Sequence, residues 1–464
     1  MIKNNFHFAI SERKVLLRIF DIVSVLVLLH ICGNIFDFDY FIIDKSRWMW
    51  PIVLALYLTV FATIFELYDL QKASKYIVVI KNVVLAVSIT VLFYLLTPFF
   101  TPSLPSNRLQ IVFFYLTIVL ALLLWRYSYI TFISAPRFNK RVLLVGQGEM
   151  VPTIVSSLIN SDPNCKVVCY FDTSSNNTFL INSNGEAVQS MGGFSQIYDE
   201  MQISEVIICT ISSEDMSIEI HNNLVKFLER GISIREYSQV YEELNHRIPI
   251  HASGVGSFYR YFPFSRNNQN QLYLFFSRLM DIILSIIGLV FGILLLPIIL
   301  IGNLIGNKGP LLYHQTRVGR NGKTFKLHKL RSMVKNAEEN GVQFAKKGDN
   351  RVTKFGRFLR NSRYDEIPQF INVLKGEMSV IGPRPERPEF VHDLSVSLPL
   401  YEVRHLVKPG ITGWAQVKGQ YGASLDDALE KLQYDLYYIK HRSMFLDALI
   451  LLKTLSTIIF FRGQ

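Results

Sequence analysis

Two adjacent carboxylates, Asp365 and Glu366, sit inside a strongly basic stretch, with Arg351, Lys354, Arg357, Arg360 and Arg363 before them and Arg384 and Arg387 after. Residues of these types can hold a diphosphate and a divalent cation together. The cations neutralise phosphate oxygens, one carboxylate holds a metal, and the other attacks phosphorus. The same run also reads as a salt-bridged, solvated helix face. The stretch alone does not choose between them, so the surrounding elements must.

The 464 residues suffice for two or three domains, and half of them are hydrophobic. A mean hydropathy of +0.25 is high for a soluble protein and places part of the chain in lipid. A net charge of +11 suits an anionic partner: lipid headgroups, phosphates or nucleic acid. The four cysteines, Cys32, Cys165, Cys169 and Cys209, form neither a CxxC pair nor a Cys/His ligand set, which argues against a disulfide framework or a zinc site.

Four apolar segments open the chain, at about 15–36, 50–67, 77–100 and 109–133, each long enough for a helix to cross a bilayer core of about 30 Å. Lys3, Arg13, Lys14 and Arg18 precede the first, Lys72 and Lys75 follow the second, and Arg137, Lys140 and Arg141 follow the fourth. The positive-inside rule puts both ends of this bundle in the cytosol, although Lys45 and Arg47 lessen the contrast. Arg18 and Asp21 also interrupt the run that a signal peptide would need. We expect these two residues to snorkel to the interface, and His30 to pack against a neighbour.

From Arg141 the pattern changes to short β runs alternating with helical ones, which predicts a Rossmann-like α/β domain ending near Pro249. Gly146 and Gly148 supply two glycines of a dinucleotide fingerprint, but Val151 stands where the third would be, and Asp172 ends the next strand. We read this domain as structural or regulatory. A linker follows, and then a fifth apolar segment that contains Asp281 and Pro297 and has basic residues on both flanks. Pro297 bends a helix, so a segment that dips into one leaflet and returns keeps both flanks cytosolic; a kinked fifth span would instead place everything after Gly306 outside.

The final third carries an ordered series: Gly309-Pro310, Gln315-Thr316-Arg317-Val318-Gly319, Lys329-Leu330-Arg331-Ser332, Tyr364-Asp365-Glu366-Ile367-Pro368-Gln369, Ser379-Val380-Ile381-Gly382-Pro383-Arg384-Pro385 and Lys408-Pro409-Gly410-Ile411-Thr412-Gly413-Trp414. This series closely resembles the bacterial polyprenyl-phosphate glycosyl-1-phosphate transferases, the monotopic sugar transferases, and the four spans and α/β domain are similar to their long form. The resemblance implies a mixed membrane protein. Its parts are a four-span bundle (1–137), a Rossmann-like α/β domain (138–250), a linker (251–277), a re-entrant helix (278–306) and a mainly α catalytic domain (307–464) with an interfacial C-terminal helix. The expected setting is the bacterial inner membrane with the catalytic domain cytoplasmic, as a homodimer that takes no nucleic acid.

The chemistry implied is transfer of a sugar-1-phosphate from a UDP-sugar to undecaprenyl phosphate, with release of UMP. Asp365 would be the nucleophile and Glu366 the Mg²⁺ ligand. Arg360, Arg384, Lys329 and Arg331 would contact phosphate, Gln369, Gly382, Pro383 and Pro409 would shape the pocket, and Pro297 would break the membrane helix. UDP-glucose is the first expectation for the donor, UDP-galactose the second and an N-acetylated sugar the third. Three places depart from the family pattern: Leu296 precedes Pro297 in place of serine, Tyr364 precedes the acidic pair, and His314 and Thr316 stand where charges are common. A membrane-bound NAD-dependent nucleotide-sugar dehydratase is the rival enzyme, but no Tyr-x-x-x-Lys follows Gly306. A membrane sensor or transporter with a nucleotide-binding module explains only the first half.

Overall fold

The computed structural model describes residues 10–36, 38, 40, 48–69, 73, 76–97, 99–105, 107–133, 140–148, 151–161, 165–175, 177–182, 186–192, 203–209, 218–250, 270–337, 349–419 and 424–459. Most of the expected linker, 251–269, lies outside the described residues. The chain divides into two compact units, 1–245 and 246–464.

The first unit begins with four apolar helices: α1 (Ile10–Phe36), α2 (Met49–Ile64), α3 (Tyr76–Leu96) and α4 (Leu109–Ser128), the last running on into a π turn, Tyr129–Ile133. Leu17, Asp21, Val25 and Leu29 recur every fourth residue and form the buried stripe of α1, while Val15, Ile19, Val23 and Val27 point outward. Apolar residues on both faces are what a helix immersed in lipid requires. Among the described residues α1, α3 and α4 are long enough to span; α2, with 16 residues, reaches about 24 Å.

Two expectations for α1 are corrected. Asp21 does not snorkel: it is fully buried and paired with Arg126 of α4, whose Nη2 lies 2.6 Å from its carboxylate. An acid in an apolar interior persists when an opposite charge 105 residues away shares its burial. His30 is exposed and makes its hydrogen bond to Asn34, one turn along the same helix.

The same unit continues with a six-stranded sheet in the order β4-β3-β2-β1-β5-β6, built from β1 (Lys140–Gly146), β2 (Cys165–Asp172), β3 (Asn177–Ile181), β4 (Ala187–Gly192), β5 (Glu205–Ile208) and β6 (Ser233–Glu236). The β2-β1-β5-β6 portion is parallel, and β3 and β4 add an antiparallel hairpin at one edge. Helices α5 (Val151–Ser161), α6 (Ile218–Glu229) and α7 (Tyr237–Asn245) complete it. The strands buried on both faces are β1 and β5, where continuous runs such as Val142-Leu143-Leu144-Val145 have no polar alternation.

The second unit opens with one continuous 36-residue helix, α8 (Gln271–Gly306), N-capped by Asn270, whose side chain accepts from Tyr273 N. It starts seven residues before the expected boundary and runs through Pro297. After it come the hairpin β7 (Leu312–Val318) and β8 (Thr324–Leu330), then α9 (Lys354–Asn361), α10 (Gln369–Lys375), β9 (Ser379–Ile381), α11 (Pro388–Ser397), β10 (Gly410–Thr412), α12 (Trp414–Lys418), α13 (Leu425–His441) and α14 (Met444–Ile459). Their core gathers Val373, Met378, Trp414, Leu432, Tyr438 and Ile450. Ile248 is buried in that core, so this unit begins about four residues earlier than the end assigned to the α/β domain.

One face of α8 packs along this unit. Arg278 donates to the carbonyls of Val373 and Leu374 at 2.7 and 2.8 Å, at the C-terminus of α10, where Val373 O also accepts from Gly376 N. Asp281 accepts from Ser379 Oγ and Val380 N, tying α8 to β9. Gly288 and Gly292 lie directly under Phe370 and Ile367, at distances where a Cβ would collide. The opposite face, including Ile283, Ile287, Ile293, Leu294 and Ile298, is exposed and apolar.

Candidate active site

The acidic pair occupies a single 3-10 turn, Tyr364–Glu366, between α9 and α10. Thr353 caps α9 through Gly356 N, and Arg363 then takes a left-handed conformation (φ 61°) that reverses the chain into the turn. Both carboxylates are 7% exposed. Their neighbours separate them. Glu366 Oε1 faces three cations: Arg384 Nη2 at 2.9 Å, Lys329 Nζ at 3.6 Å and Arg363 Nη1 at 3.6 Å. Burial opposes its ionisation, but these cations outweigh that penalty and hold Glu366 down at about 2. Asp365 goes the other way: burial first, and then the charge on Glu366, push it up to about 6 against the pull of Lys329, Arg360 and Arg363. Burial likewise lowers Lys329 to about 8, with Glu366 partly restoring it.

Arg384 is delivered by two backbones in close contact. Ser379 N donates to Pro409 O, Gly382 N to Thr412 O and Gly410 N to Pro383 O. A Cβ on Gly382 would lie 2.4 Å from Lys408 O, so only glycine lets the strands meet here. Pro383 and Pro409 thus act through their carbonyls. Arg404 holds the far side: Nε donates to Asp435 at 2.8 Å, Nη1 to Tyr401 Oη at 2.6 Å and Nη2 to Arg384 O at 3.1 Å.

The remaining residues singled out from the sequence divide. Arg360 lies near Asp365 and donates to Ser332 Oγ at 2.9 Å. Gln369 follows Asp365 by one turn, is 3% exposed, and its Nε2 has no hydrogen-bond partner. Arg331, expected at substrate phosphate, is turned to another task. It donates to the carbonyls of Asn307, Pro310 and Met333, and Asn307 Nδ2 returns a bond to Arg331 O, sealing the end of α8 against β8. Trp414 is a core residue whose Nε1 donates to His246 O. His314 and His328 meet across the hairpin with Nδ1 atoms 2.7 Å apart, away from the acidic pair's strand face.

Arg404 and Asp435 escaped the sequence reading, since nothing local marks a pair 31 residues apart. Asp281 had a signal, an acid in an apolar run, but its partners Ser379 and Val380 lie about a hundred residues on.

Asp365 Oδ1 is a buried acceptor without a hydrogen-bond donor. Among the described residues no three His, Cys, Asp or Glu side chains form a ligand cluster. Magnesium is usually held by one or two carboxylates plus substrate phosphates and water.

A long lipid-compatible helix, with Ile367 and Phe370 beside the acidic pair packed on its inner face, defines a membrane protein. Residues 272–461 match the bacterial sugar transferase family model. A Bacillus subtilis protein provisionally named an undecaprenyl-phosphate N-acetylgalactosaminyl 1-phosphate transferase is 45% identical over 141 residues, 30% of this chain and 79% of that protein. The chain belongs to the bacterial sugar transferase family. An Aeromonas hydrophila UDP-N-acetylgalactosamine-undecaprenyl-phosphate N-acetylgalactosaminephosphotransferase is 39% identical over 55% of this chain and 59% of its own length. A Klebsiella pneumoniae UDP-glucose:undecaprenyl-phosphate glucose-1-phosphate transferase is 42% identical over 40% of each. The chain therefore matches only about half the length of these longer relatives.

Proposed function

We propose that the protein transfers a sugar-1-phosphate from a UDP-sugar to undecaprenyl phosphate, releasing UMP and forming undecaprenyl-diphosphate-sugar, as the names of its relatives describe for them. The observation that carries this reading is the divergence of two neighbouring carboxylates in one basic pocket. Asp365, poised near 6, is ionised at neutral pH yet free of a fixed ion pair in its carboxyl oxygen Oδ1, as a nucleophile toward phosphorus must be. Its attack would give a phosphosugar-aspartyl adduct, with UMP leaving, and the lipid phosphate would then displace Asp365. Arg384 and Lys329, within 3.6 Å of Glu366, would balance charge on the transferred phosphoryl group, and Arg360 would support Asp365. Glu366 would hold Mg²⁺, which supplies charge neutralisation at the diphosphate oxygens.

The helix α8 is proposed to enter and leave the same leaflet. Support comes from Arg278, two turns into the helix, and Asn307, its C-cap, both fastened to the unit that carries the acidic pair. A straight crossing would draw α10 and the Asp365 turn, packed on Gly288 and Gly292, to hydrocarbon depth. The unit would then lie on the cytoplasmic face of the inner membrane, where UDP-sugars are; a homodimer is part of the same proposal.

The test is UMP release by the full chain in lipid, with UDP-glucose, UDP-galactose, UDP-N-acetylglucosamine and UDP-N-acetylgalactosamine in turn. Release that requires both undecaprenyl phosphate and Mg²⁺ is expected with one or two of these donors. Release with none of them, or turnover insensitive to the lipid, contradicts the proposal.

A further inference from the structure

Where α8 begins, a cleft of about 410 Å³ opens between its first turn and the corner joining α13 to α14. Its walls are of two kinds. Leu272, Phe276 and Met444 are apolar and exposed, by 72%, 48% and 43% respectively, and Phe275 and Phe445 extend the same apolar surface beside it. His441 and Arg442 bring positive or titratable nitrogen to one end. Arg442 lies over the rings of Tyr273 and Tyr438, at 5.1 and 5.7 Å from their centroids. A guanidinium over aromatic faces can still direct its in-plane N–H groups at a phosphate. Asp447, the carboxylate beneath it, is 1% exposed and receives both tyrosine hydroxyls, from Tyr273 at 2.7 Å and Tyr438 at 3.1 Å.

We propose that this cleft seats the headgroup phosphate of an anionic phospholipid on Arg442, with its acyl chains lying along Leu272, Phe276 and Met444. The cleft has the composition of a headgroup site: one cation end, an aromatic belt and an apolar rim where a membrane helix begins. It is separate from the acceptor's place. Gly292, under Ile367 beside the acidic pair, is 19 residues further along α8, or about 28 Å from Tyr273. A lipid held here would brace α8 against α14 and fix the unit's height at the membrane. The inference rests on α8 lying in the membrane, not on the transferase chemistry.

The test uses the full chain extracted into micelles containing equal amounts of phosphatidylglycerol and phosphatidylcholine, with retained lipid counted by native mass spectrometry. One phosphatidylglycerol per chain is expected, favoured about tenfold or more over phosphatidylcholine. Arg442→Gln should weaken its retention at least tenfold and Arg442→Lys much less. Should Arg442→Gln fail to fold, as judged by its melting temperature, Leu272→Asp on the exposed rim decides, with the same loss expected. Equal retention of both lipids, or unchanged phosphatidylglycerol in Arg442→Gln and Leu272→Asp, overturns the proposal. Displacement by millimolar inorganic phosphate also overturns it, by making the cleft a site for soluble anions. UMP release is measured separately, so failure of the transferase reading leaves this result standing.

Discussion

Asp365 and Glu366 are chemically alike and adjacent, yet one is surrounded by Arg384, Lys329 and Arg363 while the other keeps an unsatisfied oxygen. Asp365→Asn should therefore reduce UMP release by at least about a thousandfold without lowering the melting temperature, since a nucleophile has no substitute in the pocket. Arg384→Ala should lower kcat by about a hundredfold or more with a smaller change in KM, because its charge is needed most as the phosphoryl group is transferred. The pH profile follows from the same geometry. The free enzyme needs Asp365 ionised, above about 6, and Lys329 protonated, below about 8, so kcat/KM should form a bell between those values. Stability has the opposite sign at Asp365. Its folded pKa is raised, so its favourable contribution is complete below about 4 and is lost as pH rises through about 6. In metal-free protein Asp365→Asn should flatten this dependence, its melting temperature changing less between pH 5 and pH 8 than that of the unsubstituted chain. The pair and Arg384 were legible because adjacency and a short motif bring them together. Arg331 was expected at phosphate from its place in the family motif; in the fold its donors reach the carbonyls of Asn307, Pro310 and Met333.

At the scale of elements, α8 positions the site. Its apolar run and Pro297 announce a membrane helix, but an amphipathic contact along its whole length cannot be read from hydropathy, because the inner face is lined by glycine and the outer by isoleucine and leucine. Asp281 shows the limit well. In sequence it looks like an interruption; in the fold it binds Ser379 Oγ and Val380 N at 2.9 and 2.8 Å. Asp281→Ala would leave both donors buried without an acceptor, and should destabilise the second unit by about 2–4 kcal/mol in denaturant titrations in detergent. The sheet of the first unit was half visible: β1, β2, β5 and α6 follow from β runs alternating with helical ones. The β3–β4 hairpin does not, since both strands are short, mix polar with apolar residues and lack a continuous apolar signature, and β4 lies at the sheet edge.

For the whole molecule, the decisive properties are which side of the membrane each part occupies and whether the carboxylate pair performs covalent chemistry there. With the native cysteines replaced, Gln271→Cys and Leu312→Cys flank α8, and a membrane-impermeant thiol reagent should label both only after the cells are opened. Labelling of one in intact cells would make α8 a crossing helix. The order of apolar segments and basic flanks makes this topology the expectation, whereas the Asp21–Arg126 pair did not show in the sequence, because its two halves lie on α1 and α4, 105 residues apart. The most direct measurement is the intact mass of the purified chain after exposure to UDP-sugar and Mg²⁺ with no lipid acceptor. The account predicts a gain equal to one sugar phosphate, absent in Asp365→Asn and discharged on adding undecaprenyl phosphate. An unchanged mass under conditions where the same preparation turns over with acceptor present would contradict it.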